Sequence, residues 1–332
     1  MLWIEKYRPR TFEEIIGQEH VVAHLKAGPG TGNVQHLLLS GPSGTGKSVA
    51  VECLSRVLYG ERMHENSTVI MVSDLFEQGK RYLESDERYA HIFRRDESLL
   101  ANFKNITRNF ASIRPLDTEF RLLVFEGASS LPREAQQALR RTMERYSRTC
   151  RFIFITRRPS GIIPAISSRC LPFFFSPLPG DLISRHLRSI LHSEYGTKPD
   201  LAEDDLELIV QASGGDLRKA IMLLQVSTGP EGRAELARAF QTETGQLAKA
   251  ALSAIACSDP GAAMRGLESL IIEYGLTSQE VLHEFREAVR KDYPDPRIIC
   301  ALAETDYSLT HCNNEYIQLN AMVARIGKEV FS

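Results

Sequence analysis

Residues 37 to 48, Leu-Leu-Leu-Ser-Gly-Pro-Ser-Gly-Thr-Gly-Lys-Ser, set an apolar run directly before a complete G-x-x-x-x-G-K-S loop from Gly41 to Ser48. Such a loop works only where a buried strand delivers it and a helix receives it, because its backbone N–H groups must turn toward an anion at the helix start. The pattern therefore predicts an α/β layer with a parallel sheet and a ligand at the strand carboxyl ends. Gly41, Gly44 and Gly46 free the backbone, Pro42, Ser43 and Thr45 complete the cradle, Lys47 neutralises β and γ oxygens, and Ser48 ligates Mg²⁺. The bland alternative is a glycine-rich turn with Lys47 as a solvated helix start. The strand before and the helix after favour a site for a nucleoside triphosphate.

A second half is needed for hydrolysis: a carboxylate at the end of a neighbouring strand for Mg²⁺, and a group that orients or deprotonates water. The strand Leu122-Leu123-Val124-Phe125 ends in Glu126-Gly127 where an acidic pair is expected. Glu126 can serve the metal, but Gly127 has no side chain to act as a base. Losing a positioned base costs roughly 10²–10⁴-fold in rate. Binding and hydrolysis are thus separate questions in this chain.

The surrounding pattern predicts helices over 12–27, 47–58, 98–113 and 135–146, and strands over 37–40, 69–72, 122–125 and 151–156. After Pro172-Phe173-Phe174-Phe175-Ser176-Pro177 only helical spacing remains, over 180–195, over 203–226 with a Gly214-Gly215-Asp216 turn opening its last helix, and from Ala234 onward. Gly229-Pro230 reads as a linker. At 332 residues the chain exceeds one core, so three domains are expected, 1–177, 178–229 and 230–332. The net charge of -2 confines any nucleic-acid surface to a local patch. The six cysteines form no C-x-x-C pair, which argues against zinc and against a disulfide framework. The opening lacks the apolar core of a signal peptide, and no apolar run approaches the ~20 residues of a membrane span. The expectation is an intracellular, soluble protein.

Several further strings together resemble one family. They are Trp3-Ile4-Glu5-Lys6-Tyr7-Arg8-Pro9, Gly17-Gln18-Glu19, the phosphate loop, Ala135-Gln136-Gln137-Ala138-Leu139-Arg140-Arg141-Thr142-Met143-Glu144, Ile166-Ser167-Ser168-Arg169-Cys170, Gly215-Asp216-Leu217-Arg218-Lys219-Ala220, and, near the end, Asp306 to Thr310 with Asn314 to Leu319. The set resembles the small subunits of replication factor C, the AAA+ clamp loader of archaea and eukaryotes, over almost the whole chain. That resemblance implies an AAA+ P-loop domain, a small helical lid and an all-α collar, in a hetero-pentameric ring with ATP and Mg²⁺ between neighbours. It implies that Ile4, Tyr7, Arg8 and Pro9 pack on the adenine, that Arg218 senses the γ-phosphate of its own subunit, and that Arg169 is a finger reaching a neighbour's nucleotide. It also implies a sliding clamp of the PCNA type and primed DNA as partners, without a membrane.

Three departures stand out. The family's Asp-Glu-Ala-Asp is Glu126-Gly127-Ala128-Ser129, and its first-sensor Asn falls on Arg157, too long and charged to position a water in the same way. A charged stretch of about 78–96 is extra and reads as a solvated insertion. The losses strike hydrolysis in cis while the phosphate loop and Arg169 survive. The expectation is a subunit that binds ATP, hydrolyses it poorly and activates a neighbour. Two alternatives stay open: a competent DNA-dependent ATPase with Glu119 or Glu134 as base, and a scaffold of a checkpoint-type loader. For a DNA backbone the basic candidates are Lys104 and Arg108, four apart on one helix face, and Arg140 and Arg141 on the next helix; a solvated face or an interface ion pair is the equal alternative.

Overall fold

The computed structural model describes residues 1–30, 34–89, 91–115, 118–196, 203–228, 243–257, 259–293, 295–312 and 314–331. By internal contacts the chain divides into two compact units, Met1–Thr228 and Gly229–Ser332. The linker expected at Gly229-Pro230 lies outside the described residues.

The first unit runs α1 (Trp3–Lys6), α2 (Glu19–Gly30), β1 (Leu37–Ser40), α3 (Lys47–Tyr59), α4 (Met63–Asn66), β2 (Ser67–Met71), α5 (Val72–Gln78), α6 (Lys80–Ser85) and α7 (Leu99–Ser112). It continues with β3 (Arg121–Glu126), α8 (Arg133–Arg145), β4 (Cys150–Thr156), α9 (Pro164–Ser167), β5 (Leu171–Phe174), α10 (Gly180–Tyr195), α11 (Glu203–Ser213) and α12 (Leu217–Ser227). The five strands form one parallel sheet in the order β2-β3-β4-β1-β5. Its central strands are apolar without alternation because both faces are covered. Period two then sorts their side chains: Leu123, Phe125, Phe152 and Phe154 enter one core with residues of α7 and α8, while Leu122, Val124, Ile153 and Ile155 enter the other with residues of α2 and α3. Phe125 lies nearly parallel to Phe154, with ring centroids 5.3 Å apart.

Three expectations are corrected. The helix read over 12–27 is a short 3-10 turn, Phe12–Glu14, followed by α2, because Gly17 turns left-handed (φ 68) close against Leu178. The strand β5 went unread because Pro172 and the following prolines suggest a boundary; as an edge strand pairing only β1, it tolerates a residue without an N–H. The stretch 78–96 is more than a solvated insertion. It holds α6 and a turn at Glu87–Tyr89, and it buries Leu83 and Tyr89 in the core beside Phe103 and Phe110.

The second unit is helical throughout its described residues: α13 (Glu243–Ala256), α14 (Pro260–Ile272), α15 (Ser278–Asp292), α16 (Pro296–Leu309) and α17 (Glu315–Val330). They share a core around Leu267, Phe285, Ile298, Leu319 and Ile326. Side chains mark the helix starts: Asp259, Asp295 and Asn314 accept from first-turn N–H groups, and Thr277 forms a reciprocal capping box with Glu280.

Candidate nucleotide-binding site

Parallel register assembles the site. Ser40 lies opposite Thr156 and Glu126 opposite Ile155, so the phosphate loop, Glu126 and Arg157 all leave the sheet at one edge. The loop turns through left-handed Gly44 (φ 64) and Gly46 (φ 98) into α3. Lys47 is buried, and its ammonium donates to the Pro42 carbonyl and to Thr45 Oγ1. Burial, and next to it the charge of Arg157, push the lysine down to about 8, while Asp216 and Glu126 oppose the shift and Arg218 adds to it. Five charged groups therefore converge on the loop: Lys47, Arg157, Arg218, Asp216 and Glu126.

Ser48 Oγ donates to Glu126 Oε1 at 2.7 Å. A hydroxyl beside one carboxylate is the hard-oxygen set that Mg²⁺ uses together with phosphate oxygens, so these residues fit the ion. Among the described residues no group of three or more His, Cys, Asp or Glu could hold a metal unaided. Gly127 follows Glu126 with φ 70, and a Cβ added to it would lie 2.6 Å from Ser73 Oγ. A side chain at this position would thus have to displace a serine hydroxyl. Of the alternative bases, Glu119 precedes β3 at the opposite end of the strand from Glu126, roughly 20 Å of extended chain away. Glu134 is exposed in the first turn of α8 and makes no hydrogen bond or ion pair with the loop.

The helices after the sheet reach back to the loop. Leu217 N–H donates to the Gly44 carbonyl at 3.3 Å, and a Cβ on Gly44 would fall 1.6 Å from Asp216 Oδ1. Arg218, next in α12, is exposed and unpaired among the described residues. The opening segment is anchored between these helices and α3. Trp3 N–H donates to Gln225 Oε1 at 2.8 Å, Tyr7 Oη to Glu194 at 2.6 Å, and Arg8 Nε to Glu52 at 3.0 Å. Ile4 and Pro9 are half-buried within that segment, Pro9 beside Cys53 of α3.

Arg169 stands apart from the loop, where its guanidinium donates to Glu144 Oε1 at 2.6 Å and to the Ala165 carbonyl at 2.8 Å. Arg140 donates to the same Glu144 oxygen at 3.3 Å, and the two arginines, Arg169 foremost, hold that carboxyl below its ordinary range. Helices α7 and α8 pack side by side. Half-buried Lys104, exposed Arg108 and exposed Arg141 make no side-chain ion pair among the described residues, in contrast to Arg140. Sequence reasoning overlooked Asp216, Ser73 and Ile15, whose side chain lies 3.8 Å from a Cβ placed on Gly46. Asp216 carried a local signal as a helix-capping acid after two glycines; Ser73 and Ile15 carried none, since only the fold brings them to the loop.

The chain is 34% identical to the replication factor C small subunit of Archaeoglobus fulgidus over 334 residues, which covers 98% of this chain and 97% of that one. The chain belongs to the replication factor C small-subunit family. A second relative, the replication factor C small subunit of Haloarcula marismortui, is 31% identical over 98% of this chain and 95% of its own length. Residues 244–325 match the replication factor C C-terminal domain, and residues 17–179 match the DNA polymerase III delta subunit family. The match to the C-terminal domain thus lies within the second unit. Two solved structures share the AAA+ fold: a Thermotoga maritima RuvB variant (TM-score 0.52, 16% identity, 95% of this chain and 91% of that one) and the Aeropyrum pernix Orc1 protein in complex with DNA (TM-score 0.52, 14% identity, 94% and 82%). Membership makes this a clamp-loader small subunit of the AAA+ ATPase class. No described helix is long and apolar enough to cross a membrane.

Proposed function

We propose that this chain binds ATP with Mg²⁺ and retains it, hydrolyses it poorly, and lends Arg169 to the nucleotide of a neighbouring subunit in a hetero-pentameric clamp loader. The observation that carries the reading is Gly127: the position beside Glu126 offers no base, and the Ser73 hydroxyl lies where a Cβ would need room. The phosphate loop is complete, with Lys47 and the N–H groups of Gly44 to Ser48 to receive the phosphates. Ser48 and Glu126 would hold Mg²⁺, which supplies charge neutralisation at the β and γ oxygens when bound. Ile4, Tyr7, Arg8 and Pro9 wall the adenine, and Arg218 meets the γ-phosphate.

In this reading residues 1–177 carry the nucleotide, 178–229 form the lid, and 230–332 the collar through which subunits associate. Lys104, Arg108, Arg140 and Arg141 face the backbone of primed DNA, and a sliding clamp of the PCNA type is the cargo. Docking a neighbour's nucleotide must draw Arg169 away from Glu144, an exposed pair that costs little to break. The test is Arg169→Ala in the assembled ring, with the phosphate-loop lysines substituted at every site except the adjoining one and this chain's own. Turnover at that site should fall at least ~10³-fold, the scale of an arginine finger, while this chain still binds nucleotide. Undiminished turnover would remove the finger role.

A further inference from the structure

Pro9 denies Arg8 the helical conformation, so α1 ends at Lys6 and the chain leaves it through Tyr7. Consecutive residues of a helix point about 100° apart and do not share a partner. The break at Tyr7 removes that constraint: Lys6 Nζ and Tyr7 Oη both donate to Glu194 Oε1, each at 2.6 Å. Glu194 stands near the end of α10, and its side chain is 18% exposed against 45% for Lys6, so the carboxylate is largely withdrawn from water. Lys6 first, and then Tyr7, hold that carboxyl below its ordinary range. The same short helix is fastened to α12 by the Trp3 N–H bond to Gln225, and the Trp3 ring lies 6.3 Å from that of Tyr195 in α10. Arg8, the next residue along, is bonded instead to Glu52 of α3, the helix that receives the phosphate loop.

A carboxylate that accepts from an ammonium and a phenol on neighbouring residues fixes both side chains, because hydrogen bonds to an ionised acceptor are short and directional. The Lys6 ammonium, 5.4 Å from the centre of the Tyr7 ring, adds to the hold on that ring. Glu194 bonds no residue of the phosphate loop among the described residues. Resting on the nucleotide-site reading above, we infer that Glu194 is a positioning residue for the base of the nucleotide: it holds the Tyr7 ring where a purine packs, and it serves recognition of the nucleoside without serving recognition of the phosphates. A wall set before the ligand arrives loses less side-chain freedom on binding, and that saving appears as affinity. Glu194 itself touches no ligand; its effect passes through Tyr7.

The experiment is calorimetric titration of the full chain with ATP and, separately, with inorganic tripolyphosphate, which carries the charge and lacks the base, both with Mg²⁺. Glu194→Ala should weaken ATP binding about 10-fold, the scale of a lost charge-assisted hydrogen bond, and change tripolyphosphate binding by less than about threefold. Glutamine keeps an acceptor oxygen for both donors, so Glu194→Gln should stay within about threefold of wild type for ATP. Tyr7→Phe removes the same bond from its other end while keeping the ring, and should also weaken ATP with tripolyphosphate unmoved; it carries the comparison if Glu194→Ala does not fold. Equal weakening of both ligands, or unchanged ATP affinity, in Glu194→Ala and Tyr7→Phe would overturn this inference and leave the nucleotide site standing. Wild type that binds ATP no more tightly than tripolyphosphate would overturn the base wall and the inference together. Wild type that binds neither would overturn the nucleotide-site reading itself.

Discussion

Gly44 and Gly127 are both left-handed glycines at the carboxyl edge of one sheet, and they serve opposite ends of the same site. Gly44 lies in a loop where backbone N–H groups are the functional atoms, and its missing Cβ lets Asp216 close over the turn. Gly127 lies where function calls for a side chain, and its missing Cβ leaves room only for Ser73. The same residue type completes one half of the site and empties the other. A phosphate loop evaluated alone therefore reports on binding, and the strand ends opposite it decide turnover.

The largest effect expected from the intact half is Lys47→Ala, which should weaken triphosphate binding by about 100-fold or more, since a buried ammonium on phosphate is a charge-assisted contact; titration of a fluorescent analogue measures it. Gly127→Glu probes the other half. Its positive φ and the approach of Ser73 should cost roughly 1–3 kcal/mol of stability, read by chemical denaturation, with no gain in turnover. A gain would break the comparison; partial recovery of stability in the double variant with Ser73→Ala would sharpen it.

The pH dependence gives a smaller effect. In the free site Lys47 titrates at about 8, whereas bound phosphate would hold it protonated well above that. Above pH 8 binding must take up a proton, so affinity should fall as pH rises, by about tenfold between pH 7 and pH 9. A flat profile would mean that the ammonium stays protonated in the free site through pH 9. Smallest is Lys104→Ala with Arg108→Ala, which should reduce the salt slope of DNA binding by the assembled ring by about 2. An unchanged slope would remove that helix face from the DNA path.

Legibility in the sequence followed the range of the interactions involved. Strand β1, the phosphate loop and helix α3 were readable because they are contiguous, and apolar runs located β3 and β4 within a residue of their ends. Glu126-Gly127 and Arg157 were visible as departures because each stands at the carboxyl end of a strand. Three things escaped. Pro172 hid an edge strand; Gly17 broke a helix that periodicity carried through; and Leu83 and Tyr89 were masked by the charges around them although both are buried. The contacts of Ser73, Ile15 and Asp216 with the site depend on pairings far apart in the chain, which periodicity does not encode.

The most direct measurement is steady-state ATP turnover by the purified chain with Mg²⁺ and primed DNA, on a preparation first shown to bind a fluorescent ATP analogue. The account predicts stoichiometric binding with turnover at least ~10²-fold below that of a family member carrying the full acidic pair. Turnover equal to such a member would mean that another group replaces the base missing at Gly127, and would contradict the separation of binding from hydrolysis.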